Sequence, residues 1–214
     1  MARSTRAALI NNAEFRNSLE GSTSTLEILL KGHLWIESLL NSFLEAAAKR
    51  PAALRLDRAS FSTKLNLCEA FGLLPKSFVE TLRLVNRHRN DLAHNVKASM
   101  SDETVEKLIK QSSEPVRSAY ARLMAAHNET DRSSTLFRLG SWLMLIVNQL
   151  GYQVLLYEYE QDYQPQHLAF ATARLLEEQE GRAPAPAAEI RRLVGLPEPP
   201  QPIEIWSLDD LPHP

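Results

Sequence analysis

From Ser24 to Arg50 the chain carries one amphipathic pattern that leaves little choice of secondary structure. Leu26, Leu29, Leu30, Leu34, Ile36, Leu40, Phe43 and Leu44 recur at helical spacing. Ser24 and Glu27 open the run as an S-x-x-E pair, in which each side chain satisfies a free backbone amide of the first turn. Pro51 closes it, since proline lacks the N–H and clashes with the preceding turn. Alternating strand patterns are scarce elsewhere, so the expected fold class is all-α.

Further helices follow the same grammar. Ser60 to Phe71 predicts a short helix with Phe61, Leu65, Cys68 and Phe71 inward, closed by Gly72 in the left-handed conformation. Ser77 and Glu80 repeat the S-x-x-E signal ahead of Phe78, Leu82 and Val85. Ser101 caps a helix whose first turn holds Asp102 and Glu103, favourable at the positive end of the helix dipole. Pro115 suits a first helical turn, with Val116, Tyr120, Leu123 and Met124 as the apolar stripe. A long helix is predicted from about Ser133 to Tyr159. Another starts at Pro165, with Leu168, Leu175 and Leu176 inward.

The domain organisation read this way is an N-terminal segment at 1–21, which weak periodicity allows to be helical, a helical domain at 22–180, and a tail at 181–214. Eight of the twelve prolines fall in that tail. It admits a short helix around Glu189–Val194 and a docking segment at Ile203–Trp206. The stretch Leu136–Leu156 is long enough to cross a bilayer, but it contains Arg138, Asn148, Gln149 and Gln153 and reads as a buried helix. Met1–Arg6 is not followed by an apolar run of signal-peptide length, so the cytoplasm is the expected compartment and no membrane partner is expected.

Composition excludes some chemistries. The lone cysteine, Cys68, rules out an internal disulfide and a cysteine-built zinc site, and its apolar neighbours mark it as a small core residue. His33, His88, His94, His127, His167 and His213 lack metal-ligand spacing with an acid on a shared face, and there is no phosphate-binding glycine loop, so no metal or cofactor is expected. Net charge is -2, yet residues 49–97 hold ten Lys/Arg against four Asp/Glu. A basic middle within an acidic chain fits an anion-binding surface and equally fits a solvated charged face.

Chemistry concentrates in Arg87-His88-Arg89-Asn90-Asp91-Leu92-Ala93-His94. Arginine donates two parallel hydrogen bonds to phosphate and stays charged. Histidine titrates near neutrality and moves protons. Together they suffice for RNA cleavage without metal; solvated caps and ion pairs at a helix end have the same composition. Projected on a straight helix, Phe78, Leu82, Val85, Leu92 and Ala93 share one face, and Arg87, Asn90, Asp91 and His94 the opposite one. Arg89 then points into the apolar face and needs a partner, for which Glu37 is a candidate. Alternatively the helix bends there and Arg89 joins His94.

The run Ser62-Thr63-Lys64-Leu65-Asn66-Leu67, then Ala70-Phe71-Gly72-Leu73, then Leu84 to His94, resembles the HEPN superfamily, in the branch of mannitol operon repressor-like proteins. Gly32-His33-Leu34-Trp35-Ile36-Glu37 matches the family's first helix loosely. The resemblance covers about residues 22–160 and implies a HEPN-like helical bundle with a proline-rich C-terminal extension. Its signature is an Arg and a His separated by four to six residues. Arg89 with Asn90 and His94 fits, as does Arg87 with His88 and His94; the family pattern favours Arg89. The resemblance implies a homodimer whose paired motifs form a metal-independent endoribonuclease with toxin, defence or RNA-processing roles. The catalytic set would be Arg89, His94, Asn90 and Arg87, with Asp91, His88, Glu37, Lys64 and Lys97 as accompanying binding residues. Single-stranded RNA and an antitoxin-like protein are the implied partners. Other relatives are non-catalytic regulatory or interaction modules, so that reading stays open.

Overall fold

The computed structural model describes residues 12–94, 100–179 and 185–201. Lys97, Met1–Arg6, Ile203–Trp206 and His213, singled out above, lie outside the described residues. The described chain is all-α, with ten α-helices, one short 3-10 helix (Pro51–Leu54) and no strand. It divides into two compact units, one ending at Gly151 and the other beginning at Tyr152. The boundary falls inside a helix, and the short helix after residue 181 packs on the helix before it.

The first unit holds α1 (Asn12–Leu19), α2 (Thr25–Ala47), α3 (Phe61–Ala70), α4 (Lys76–His94), α5 (Asp102–Gln111), α6 (Glu114–Ala126), α7 (Glu129–Ser133) and the start of α8 (Thr135–Asp162). The Ser24 hydroxyl accepts from the Glu27 amide at 3.2 Å, as the sequence predicts, while the Glu27 carboxylate reaches back to the Thr23 amide and not to Ser24. Ser60 and Ser101 cap α3 and α5 through the amides of Thr63 and Thr104. Gly72 has φ 67 and lets the Leu73 amide return to the Cys68 carbonyl, which closes α3. The second S-x-x-E pair does not cap: α4 starts at Lys76, so Ser77 sits within its first turn.

α2 packs against α1, α3 and α4, and α3 packs against α4. Their shared core contains Leu29, Ile36, Leu40, Phe43, Leu44, Leu65, Leu82 and Val85, all at 1% exposure or less. Leu34 and Phe71, expected inside, are 64% and 51% exposed. Helical spacing names a broad apolar stripe without setting how much of it is covered, and Phe71 is the C-cap beyond the last residue of α3. α8 supplies Trp142, fully buried, whose indole N–H donates to the Ser112 hydroxyl at 2.8 Å. It is the one described helix long and apolar enough to cross a membrane, and 61% of its most apolar window is buried inside the protein.

One close approach orders this core. A Cβ on Gly32 of α2 would lie 2.8 Å from Leu143 Cδ1 of α8, a side chain with no exposure. Gly32→Ala gains helix propensity but must displace packed atoms. It is expected to lower stability by about 1–3 kcal/mol. A urea midpoint equal to or above that of the native chain would refute this.

The second unit contains the end of α8, then α9 (Gln164–Gln179) and α10 (Ala187–Leu193). The Arg191 guanidinium lies over the Phe170 ring and donates to the Pro197 carbonyl. Leu168, Leu175 and Leu176, expected inward, are 70%, 58% and 52% exposed. α9 turns Phe170 and Arg174 toward α10 and the chain before it instead.

Candidate functional site

α4 runs unbroken from Lys76 to His94, so the segment 87–94 keeps helical projection to its last residue. Arg87, Asp91 and His94 are exposed, and Asn90 and His88 are half-buried. Ala93, projected on the apolar face, is exposed. Arg89 does not require a bend. It is half-buried, and its Nη1 donates to Asn90 Oδ1 at 3.0 Å. Its Nε is buried and has no hydrogen-bond partner among the described residues.

Glu37, a candidate partner for Arg89, is engaged otherwise. Its Oε1 accepts from Lys64 Nζ at 2.6 Å. Lys64, expected among the binding residues, is buried, with 5% of its side chain exposed. The reason is positional. Phe61, Lys64, Leu65 and Cys68 form the inward stripe of α3, and the ammonium is tolerated there because a carboxylate meets it. The Cys68 thiol on the same stripe is pushed up to about 12 by burial, which disfavours the nucleophilic thiolate.

A second polar link crosses the same helices. His33 of α2 is 4% exposed and stacks on Phe61 with centroids 4.3 Å apart. Its Nε2 lies 3.1 Å from Asn86 Oδ1, and Asn86 Nδ2 donates to the Ser62 hydroxyl at 3.3 Å. Since the Asn86 amide spends an N–H on Ser62, its oxygen is the acceptor and His33 Nε2 the donor. Burial holds the ring below the usual histidine range, against the Asn86 hydrogen bond, with the Arg89 charge lowering it further. His88 is also held low, first by burial and then by Arg87 and Lys107, with Asp91 opposing.

These two rings make a pH prediction. In the unfolded chain both titrate near 6.5, above their folded values. Between the two values the unfolded state binds more protons, so stability rises with pH. The contribution is complete above the unfolded value and is lost as pH falls below it. Urea midpoints are therefore expected to drop between about pH 7 and pH 5, and less steeply in His33→Gln. Equal slopes for native and His33→Gln chains would contradict the assignment.

Between α3 and α4 opens a polar cleft of about 280 Å³, lined by Ser62, Asn66, Arg83, Asn86, Arg87 and Asn90 beside Leu65. Arg83 donates to Glu69 and Glu80 at 2.6 Å each, so its charge is matched. Arg87 makes no ion pair among the described residues. The cleft therefore joins one unmatched guanidinium to a row of amides, with Asn90 linking it to Arg89 and His94 one turn further along the helix. Sequence reasoning passed over Asn66, Asn86 and His33. The signal was present as the polar spacing 83, 86, 87 and 90 along α4, set against 62 and 66 on α3. No protein-family model, curated protein or solved structure matches this chain.

Proposed function

We propose that this chain is a HEPN-type, metal-independent endoribonuclease acting as a homodimer. One observation carries the reading: Arg89 is tied to Asn90, and Asn90 lies one helical turn from the exposed His94, beside the cleft lined by Arg87. Attack of a ribose 2′-oxygen on phosphorus needs a base to take the hydroxyl proton and an acid to protonate the departing 5′-oxygen. The products are a 2′,3′-cyclic phosphate and a 5′-hydroxyl. His94 supplies one of these roles, and the guanidinium groups hold the phosphate and offset the charge that builds up on it.

Among the described residues a single chain offers a single exposed histidine on this face, while His88 is half-buried and held below the usual histidine range by burial. A second copy brings the second histidine, which is why the dimer belongs to the mechanism. The cytoplasm, where RNA is available, is the matching compartment, and an antitoxin-like protein is the matching restraint. Single-stranded RNA incubated in EDTA should be cut, with activity per chain rising as protein concentration drives dimer formation. RNA with a deoxyribose at the cut site should stay intact.

The Arg89–Asn90 bond also suits a non-catalytic regulatory module in which those groups stabilise an interface. Uncut RNA, together with harmless expression of the protein, would leave that second reading in place.

A further inference from the structure

A separate cavity of about 520 Å³ lies in the first unit, and no residue of α4 lines it. Its size is that of a small-molecule site. Leu19, Ile28, Leu136, Phe137 and Met144 make its walls apolar. Charged side chains also line it: Arg16 from α1, Glu20 just beyond, and Asp131 from α7.

Arg16 is the unusual member. Its Nε is buried and has no hydrogen-bond partner among the described residues. Buried polar atoms are nearly always paired, so the Arg16 side chain is short of partners where it borders the cavity. A guanidinium donates two parallel hydrogen bonds to a carboxylate. Glu20 and Asp131 make a bare anion a poor match but offer a seat for an ammonium. Apolar walls with both signs of charge describe one ligand chemistry.

We infer that this cavity binds a small zwitterion with an apolar body, of the class of the large hydrophobic α-amino acids. The carboxylate faces Arg16, the ammonium faces Asp131 and Glu20, and the side chain fills the space beside Phe137 and Met144. Gly140 keeps that space open: a Cβ there would meet only Leu19 Cδ1, at 3.7 Å. A larger side chain at 140 would extend into the cavity without a backbone clash.

Calorimetry and thermal melting of the full chain test this with three probes of the same body, L-phenylalanine, 3-phenylpropionate and phenethylamine. L-Phenylalanine should bind and raise the melting temperature, and it should bind at least about tenfold more tightly than either singly charged probe. Gly140→Leu should abolish its binding. Arg16→Met, which keeps the stem of the side chain, should reduce L-phenylalanine to the affinity of phenethylamine. Circular dichroism of each unliganded variant checks that the fold persists. If none of the probes binds at millimolar concentration, or if Gly140→Leu binds L-phenylalanine as the native chain does, the site is refuted. If a singly charged probe binds as tightly as L-phenylalanine, the zwitterion assignment fails.

Discussion

His94→Ala is expected to reduce cleavage of single-stranded RNA by about 10²- to 10⁴-fold, the usual contribution of a histidine that moves a proton in the transition state. Thermal stability should stay nearly unchanged, because His94 is exposed at the last residue of α4 and buries nothing in the chain as described. The separation of the two readouts is what identifies a proton-moving group. The same pair of measurements decides between the arginines. Arg89→Ala should remove activity and also weaken the fold somewhat, since its guanidinium is half-buried and bonded to Asn90. Arg87→Ala should leave the fold intact and lower affinity for RNA, with a shallower salt dependence, as expected for an exposed phosphate contact. A His94→Ala protein that cuts RNA at the native rate would end the ribonuclease reading.

Glu37→Leu should be the most damaging single change to stability, at about 3–5 kcal/mol. The variant strands the Lys64 ammonium, whose side chain is 5% exposed, without its carboxylate. Lys64→Met should cost less, because Glu37 keeps 27% exposure and can take water as a partner. The double variant Glu37→Leu with Lys64→Met should recover most of the loss, since two apolar groups of similar volume replace the pair. Urea unfolding of the three variants measures all of these terms. A Glu37→Leu loss below about 1 kcal/mol would show that the pair is effectively solvated. His33 lies near the same carboxylate, with Nδ1 4.0 Å from Glu37 Oε2, so Glu37→Leu should also depress that ring's titration further.

Much of this architecture is legible in the chain itself, and the parts that are not share a cause. Periodicity placed Leu29, Ile36, Leu40 and Phe43 inside, and they are. It placed Leu34, Phe71 and Leu168 inside as well, and they are exposed. A 3.6-residue period tells which face is apolar, not how far along that face a neighbouring helix extends. Lys64 shows the converse. It stands between Phe61 and Leu65 on the inward stripe, where a charge needs a partner. The carboxylate that permits its burial is 27 residues away in sequence, as the separation from Glu37 records.

The candidate site divides in the same way. Helical projection alone put Arg87, Asn90, Asp91 and His94 together and flagged Arg89 as the residue in conflict. It left two outcomes, a buried pair with Glu37 or a bend in the helix. The fold takes neither: α4 stays regular, Lys64 occupies Glu37, and Arg89 turns to Asn90.

The amino-acid sequence by itself determined the helices, their caps at Ser24, Ser60 and Ser101, the turn at Gly72, and the face of α4 that carries the polar groups. Each of these depends on residues within a turn or two of one another, where backbone geometry fixes the distances. The tertiary structure alone decided the partners: Lys64 with Glu37, His33 with Asn86, Gly32 against Leu143, and the cavity beside Arg16. Those pairings join distant parts of the chain, and what meets across a helix interface is set by how whole surfaces pack.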